Sequence, residues 1–109
     1  MKIGLDLDGT VYAHPAFFAE MISAMSSAGH QLFCISSHGR HEWEETDVKR
    51  LTDLGVPAQL ICPDLMNVVR HGDLAIKGHA ADQCDIVFDD DVRLANYTKT
   101  PVMAPLVKS

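Results

Sequence analysis

The chain of 109 residues carries a formal net charge of −6, and its length fits a single domain, since a core of this size buries roughly two-thirds of the surface that the unfolded chain exposes. An apolar fraction of 47% supports a packed core, while a mean hydropathy of +0.01, with no apolar run approaching about 18 residues, argues against a membrane span. The excess of acidic residues argues against a broad surface for nucleic acids or membranes, which proteins bind mainly through Lys and Arg.

Segments whose hydrophobic residues have the spacing of a strand alternate along the chain with segments that have the spacing of a helix. Ile3, Leu5 and Leu7 alternate as in a buried strand, whereas Pro15 suits the first position of a helix whose apolar residues recur at helical spacing. In chain order we predict a strand at 2–7, a helix at 15–28, a strand at 31–36, a helix at 41–54, a strand at 58–62, a short helix at 64–70, a brief extended stretch at 73–77, a strand at 85–89, a short helix at 92–97 and an edge strand at 101–105.

The second predicted helix has an acidic first turn and is followed by Gly55, a residue that commonly ends helices. We expect Val48, Leu51 and Leu54 to face the core, because these apolar residues recur at helical spacing. Trp43, on the mainly acidic part of the helix, is expected to be half-buried.

Strands that alternate with helices at this spacing predict an α/β fold with a three-layer, doubly wound parallel sheet. In such sheets, ligands bind outside the carboxyl ends of the strands. Asp6, Ser36 and Asp89 each lie at the end of a predicted strand. We therefore expect a polar site at one edge of the sheet.

Two carboxylates, Asp6 and Asp8, end the first strand just before Gly9, whose lack of a side chain allows a ligand to approach closely. Carboxylates this close repel each other, so either a cation neutralises them or one of them holds a proton. A strand-end carboxylate can act as a nucleophile that forms an acyl phosphate, while the second protonates the leaving oxygen.

A second acidic group, Asp89, Asp90 and Asp91, follows another buried strand. Carboxylate oxygens from two neighbouring strand ends are hard ligands of the kind that Mg²⁺ takes when it is shared with a substrate phosphate. The sequence therefore predicts a magnesium site at the same edge.

Three further residues are candidates for contacts with a phosphate. Lys77 can reach the edge as a point charge that holds the nucleophile and the phosphate together. Ser36 or Ser37 offers a hydroxyl for a phosphate oxygen. Each residue type alone is common at turns and surfaces, so the prediction depends on their order in one small chain.

This order resembles the motifs of the haloacid dehalogenase-like (HAD) superfamily over most of the chain. The strongest element is DLDGT, which begins at Asp6. The resemblance implies that Asp6 is the phosphorylated nucleophile and that Asp8 is the general acid and base, with its backbone carbonyl on the metal. Gly9 and Thr10 complete the motif as candidate phosphate contacts.

The other three motifs follow downstream, and by the same resemblance they imply a Mg²⁺ site shared with the nucleophile. CIS, which ends at Ser36, looks like the second motif, with Ser37 as the alternative serine, and Lys77 is similar to the lysine of the third motif. IVFDDD looks like the fourth motif. It implies that Mg²⁺ binds Asp6, Asp8, Asp89 and Asp90, with Asp91 as a register alternative.

Members of this superfamily often carry a cap domain that closes over small substrates. Here the residues between Thr10 and the second strand read as one helix, and the insertion point after the second motif holds one helix, one strand and a short segment. The resemblance is therefore to capless members of HAD-like Rossmannoid fold, with an open site that suits a large substrate or that a second subunit of a homo-oligomer roofs. Residues 63–76 are candidates for a partial lid.

The segment after the second motif resembles, more weakly, the phosphatase domain of polynucleotide kinases. His38, Arg40 and His41 are candidates for contacts with a substrate phosphate or base. The alternatives are loop or capping roles for the two histidines and a surface pairing of Arg40 with Glu44.

The sequence thus predicts a cytoplasmic, Mg²⁺-dependent phosphomonoester hydrolase that works through an aspartyl phosphate. The sequence does not distinguish between a nucleotide, a polynucleotide end and another phosphorylated compound as the substrate. The alternative is a catalytically weak protein of HAD fold that binds a phosphorylated ligand or partner. Three scattered cysteines indicate reduced thiols, and the first residues lack a secretory pattern.

Overall fold

A computed structural model describes residues 1–67 and 73–105, which form five short strands, three helices and several helical turns. The strands are β1 (Lys2–Leu5), β2 (Gln31–Cys34), β3 (Ile61–Cys62), β4 (Ile86–Phe88) and β5 (Val102–Met103). The helices are α1 (Pro15–Ser27), α2 (a continuous run of Arg40–Glu42, Trp43–Asp47 and Val48–Asp53) and α3 (Leu74–Ala81), with helical turns at Leu7–Val11, Ala58–Leu60, Asp64–Asn67 and Val92–Asn96.

All five strands are parallel and lie in the order β3-β2-β1-β4-β5, which confirms the predicted α/β fold. The chain moves outward from β1 to β2 and β3, and then returns to the other side of β1 to form β4 and β5. The reversal places a topological switch point between β1 and β4. In open α/β sheets, the crevice at such a point is where ligands bind.

The sheet has a hydrophobic cluster on each face, so the fold has three layers as predicted. On one face, Leu5 lies in the same cluster as Phe18 of α1 and Leu51 of α2. On the other face, Val87 lies in a cluster with Ala80 of α3. Side chains alternate between the faces of a strand, so that β2 and β4 contribute to both clusters.

The prediction of an extended stretch at 73–77 is wrong, because these residues cap and begin α3. The carboxylate of Asp73 accepts hydrogen bonds from the backbone N–H of Ala75 at 2.8 Å and of Ile76 at 3.4 Å, and so caps the start of the helix. The sequence DLAIK contains this capping signal, but its short apolar run resembles a strand. Lys77 therefore projects from a helix.

The prediction of which α2 residues face the core is also largely wrong. Leu51 is buried, but Val48 and Leu54 are 36% and 40% exposed. The residues that face the core with Leu51 are Trp43, which is 5% exposed rather than half-buried as expected, and Asp47, which is 1% exposed. The buried line therefore contains a carboxylate where the sequence pattern suggests an apolar residue.

Other differences concern the ends of elements. The strand predicted at 58–62 begins only at Ile61, because residues 58–60 form a helical turn after Pro57. The short helix predicted at 64–70 is described only as the turn Asp64–Asn67, and the remaining positions, like part of the candidate lid, lie outside the described residues. Within the described residues, no helix combines the length and apolar character needed to cross a bilayer.

Candidate functional site

Polar side chains converge in a cleft of about 260 Å³ beyond the carboxyl ends of β1 and β4. This is the edge at which the sequence places its strand-end carboxylates, and it lies at the switch point of the sheet. The described residues that line the cleft include five carboxylates and one lysine. Its lining residues are Asp6, Asp8, Ser37, Leu74, Lys77, Asp89, Asp90 and Asp91.

The centre of the site is a buried group of three charges. The ammonium of Lys77 lies 2.9 Å from Asp6 Oδ1 and 2.6 Å from Asp89 Oδ2, and all three side chains are less than a tenth exposed. One ammonium faces two carboxylates, so the group carries an excess negative charge inside the protein. An excess of this sign at a strand edge favours the binding of a further cation.

The environment of these groups changes their proton affinities. Burial raises the pKa of Asp6 to about 7, with Lys77 opposing the shift and Asp89 adding to it. Burial alone would lower the pKa of the Lys77 ammonium, but Asp6 and Asp89 together raise it above its ordinary value. Lys77 is therefore charged at neutral pH and offsets part of the cost of ionising Asp6.

Backbone hydrogen bonds hold these groups in place. The N–H of Asp6 donates to the carbonyl of Phe88 at 2.9 Å, and the N–H of Asp89 donates to the carbonyl of Met103 at 3.0 Å. These bonds extend the sheet ladder one step beyond the strands. Both carboxylates therefore leave rigid backbone at adjacent positions of the sheet.

Lys77 reaches the same point because α3 lies close to the chain behind it. A Cβ atom added to Gly78 would lie 2.2 Å from the carbonyl oxygen of Tyr97. Only glycine permits this approach without movement of the backbone. The residue beside Lys77 therefore sets how near the lysine comes to the sheet.

The turn after β1 connects the two acidic segments. Gly9 has φ = +75° there, and a Cβ atom at this position would lie 2.3 Å from Asp90 Oδ2. The hydroxyl of Thr10 accepts a hydrogen bond from the N–H of Asp90 at 3.0 Å and lies 3.3 Å from oxygens of Asp6 and Asp90, to one of which it donates. Thr10 is fully buried and bridges the two segments.

Three of the four predicted metal ligands have side chains close enough to share one ion. Carboxylate oxygens of Asp6, Asp89 and Asp90 lie within 4.8 Å of one another, and hard oxygen donors in this number fit Mg²⁺. The register alternative, Asp91, binds Arg93 instead, through Nε at 2.9 Å and Nη2 at 2.7 Å. The geometry favours Asp89 and Asp90 as the pair downstream of Asp6.

The two candidate serines occupy different environments. Ser37 is exposed and lines the cleft, whereas Ser36 is 1% exposed and its Oγ accepts a hydrogen bond from the N–H of His38 at 3.2 Å. Arg40 does not line the cleft, and its guanidinium faces Asp64 at 3.4 Å and Glu44 at 3.8 Å. The surface pairing with Glu44 was one of the alternatives that the sequence left open.

Asp8 differs from Asp6 in its surroundings. Its side chain is 62% exposed at the cleft, and its Oδ2 lies 2.7 Å from His38 Nε2. On its other side, His38 Nδ1 lies 2.9 Å from Oδ2 of the buried Asp47. Burial alone would lower the pKa of His38, but Asp47 and Asp8 raise it above its ordinary value.

Sequence reasoning missed two members of this group, Asp47 and Tyr12. The hydroxyl of Tyr12 donates to Asp47 Oδ1, and the guanidinium of Arg50 lies 3.8 Å from the centre of the Tyr12 ring. An available signal for Asp47 was its position four residues after Trp43 and four before Leu51, which places all three on one face of a helix.

Comparisons with protein-family models, with curated proteins and with solved structures returned no match.

Proposed function

We propose that the protein is a Mg²⁺-dependent phosphomonoester hydrolase that works through an aspartyl phosphate on Asp6. The observation that carries the proposal is the buried contact of Asp6 with Lys77 beside an exposed second carboxylate, Asp8, in one cleft. Two carboxylates in such different environments suit two different roles. The motif order that resembles the HAD superfamily supports the same assignment.

In the first step, a carboxylate oxygen of Asp6 attacks the phosphorus of the ester. The bond from phosphorus to the leaving oxygen breaks, and Asp8 in its acid form gives its proton to that oxygen, which leaves as an alcohol. Lys77 keeps Asp6 in place and opposes the negative charge on the transferring group. The products of this step are the alcohol and phosphorylated Asp6.

In the second step, water attacks the phosphorus of the acyl phosphate. Asp8, now a carboxylate, takes a proton from the water, and the bond between phosphorus and the Asp6 oxygen breaks. The enzyme regains its starting protonation and releases inorganic phosphate. One ester and one water have been consumed for one alcohol and one phosphate.

The carboxylates of Asp6, Asp89 and Asp90 would hold the metal, with the backbone carbonyl of Asp8 as the further ligand that the motif implies. Bound there, Mg²⁺ would neutralise charge on the phosphate oxygens and on the attacking carboxylate. The hydroxyl of Ser37, which lines the cleft, is positioned better than that of the buried Ser36 to bind a phosphate oxygen.

The substrate class stays broad in this proposal. Nucleotides, polynucleotide ends and other phosphorylated compounds all present the group that the cleft would bind. The net charge of −6 disfavours long nucleic acids, because these bind through cationic surfaces. A cytoplasmic location fits the cysteine pattern, and a second subunit could roof the cleft.

Hydrolysis of 4-nitrophenyl phosphate by the purified protein, with Mg²⁺ or with EDTA, tests the proposal. We expect turnover that requires Mg²⁺, is abolished in Asp6→Asn and is unchanged in Asp53→Asn, a matched substitution in an exposed pair with Lys49. Wild-type activity in Asp6→Asn would contradict it. Binding of Mg²⁺ and beryllofluoride without any turnover would instead indicate a phosphate-binding protein.

A further inference from the structure

The imidazole of His38 joins the exposed Asp8 to a carboxylate in the protein interior. Its Nε2 lies 2.7 Å from Asp8 Oδ2, and its Nδ1 lies 2.9 and 3.1 Å from the two oxygens of Asp47. The side chains of His38 and Asp47 are 16% and 2% exposed, so both are more enclosed than that of Asp8. The buried carboxylate of Asp47 thus holds the imidazole that contacts Asp8.

Asp47 is itself held from several directions. It lies between Trp43 and Leu51 on the buried line of α2, and the hydroxyl of Tyr12 donates to it. A buried carboxylate is costly unless hydrogen bonds satisfy its oxygens. Tyr12 and His38 are the donors that do so, and each fixes the carboxylate from a different element.

Contacts on both ring nitrogens hold His38 in one orientation. An ionised carboxylate only accepts hydrogen bonds, so a ring with N–H on both nitrogens satisfies Asp47 and Asp8 together. When Asp8 holds the proton, an Nε2 without one can accept from it. The contact engages Oδ2 of Asp8 and leaves Oδ1 for the leaving group.

We propose that His38, oriented by Asp47, is the positioning residue of Asp8 and holds its carboxyl group in the geometry needed for proton transfer to the leaving group. The inference rests on the proposed function, because it assigns a role within that reaction. A side chain as exposed as that of Asp8 has several rotamers in water, and selecting one in advance removes that ordering cost from the transition state.

Position matters most where the leaving group needs a proton. A 4-nitrophenolate leaves as an anion, whereas an alkoxide must be protonated as the bond to phosphorus breaks. General acid catalysis contributes roughly 10²- to 10⁴-fold to such steps, and loss of positioning should remove about 10- to 100-fold of it. A variant that merely loosens the fold or disturbs the nucleophile should affect both kinds of ester equally.

The experiment measures kcat/KM for 4-nitrophenyl phosphate and for an alkyl phosphate such as glycerol phosphate, with the intact, Mg²⁺-loaded protein. In His38→Ala and in Asp47→Asn, we expect a loss of about 10- to 100-fold on the alkyl ester and a several-fold smaller loss on the nitrophenyl ester. His38→Gln, whose amide can donate to or accept from Asp8, should recover part of the loss.

His30→Ala is the matched control, because His30 contacts the amino group of Met1 at the opposite edge of the sheet. It should leave the ratio of the two kcat/KM values unchanged, and urea unfolding should show that every variant is folded under the assay conditions. An equal loss on both esters in His38→Ala overturns the positioning role. Inactive wild-type protein with Mg²⁺ overturns the proposed function instead.

Discussion

Replacing Lys77 with methionine removes the cation that two buried carboxylates share while keeping most of the volume of the side chain. Lys77 Nζ lies 2.9 Å from Asp6 and 2.6 Å from Asp89, and at an effective dielectric constant of about 20 each contact corresponds to about 6 kcal/mol of attraction. Desolvation of the three ions offsets much of that attraction. The expected loss in free energy of unfolding is about 3–5 kcal/mol, because the substitution leaves buried carboxylates without their partner.

Lys49→Met is the matched control for this substitution. Lys49 pairs with Asp53 at 2.8 Å, almost the same distance, but its side chain is 78% exposed. Solvent screens such a pair, so we expect no measurable change in stability. Urea unfolding at pH 7, in the absence of divalent metal, gives both free energies. Equal values for the two variants would refute the reasoning, because burial would then not distinguish the pairs.

The pH dependence of Lys77→Met provides a second check. Lys77 opposes the effect of burial on Asp6, so its removal should raise the pKa of Asp6 further above about 7. The unfolded chain loses the same proton near its ordinary value, and the unfolded state therefore binds fewer protons between the two values. Wild-type stability stops falling near pH 7, whereas that of the variant continues to fall, so the deficit of the variant should grow as the pH rises past neutrality. A deficit that is constant with pH would contradict this account.

Three further predictions concern the surroundings of the site. Gly9→Ala and Gly55→Ala both force a positive φ on alanine, and each should lower the free energy of unfolding by about 1–2 kcal/mol. Only Gly9→Ala should also weaken Mg²⁺ binding measured by calorimetry, since a Cβ atom at Gly55 meets nothing within 4 Å. Equal Mg²⁺ affinities of the two variants would contradict this. Burial raises the pKa of the Cys34 thiol to about 12, so iodoacetamide should label Cys34 at neutral pH only after unfolding, as mass spectrometry of the peptide would show, and labelling of the folded protein would count against its burial. Burial and the hydrogen bond to Asp47 raise the pKa of Tyr12 above 10.0, so above about pH 10 the unfolded state loses this proton first and the stability of the protein falls. Tyr12→Phe should lack that part of the fall. Identical pH dependence of stability in the variant and the wild type would be evidence against it.

The sequence predicts the sheet and the strand-end carboxylates for a physical reason. Strands alternating with helices leave few arrangements other than a parallel sheet, and parallel strands bring their carboxyl ends to one edge. Asp6 and Asp89 therefore follow directly from the positions of β1 and β4. Lys77 comes to the same edge for a different reason, the start of α3 at Asp73, which the extended prediction for that segment overlooked.

The buried face of α2 could not be predicted from hydrophobicity, because one of its members is an aspartate. The middle turn of the helix is also wider than an α-helical turn, with the N–H of Val48 donating to the carbonyl of Trp43. This winding aligns residues four apart, so that Asp47 follows Trp43 on the same line and Val48 turns outward. Among the described residues, Tyr12 and His38 hydrogen-bond to Asp47 there, and hydrogen bonds between separate segments of the chain leave no periodic signal in a sequence.

The most direct test of the account is chemical trapping of the phosphorylated enzyme. Wild-type protein is mixed with Mg²⁺ and 4-nitrophenyl phosphate, quenched during turnover and treated with borohydride, which reduces an acyl phosphate but not a free carboxylate. The account predicts homoserine at position 6 in the peptide that begins the chain, and unchanged aspartate there when the ester is omitted. Sustained Mg²⁺-dependent hydrolysis in which Asp6 is never modified, or modification at a different residue, would contradict it.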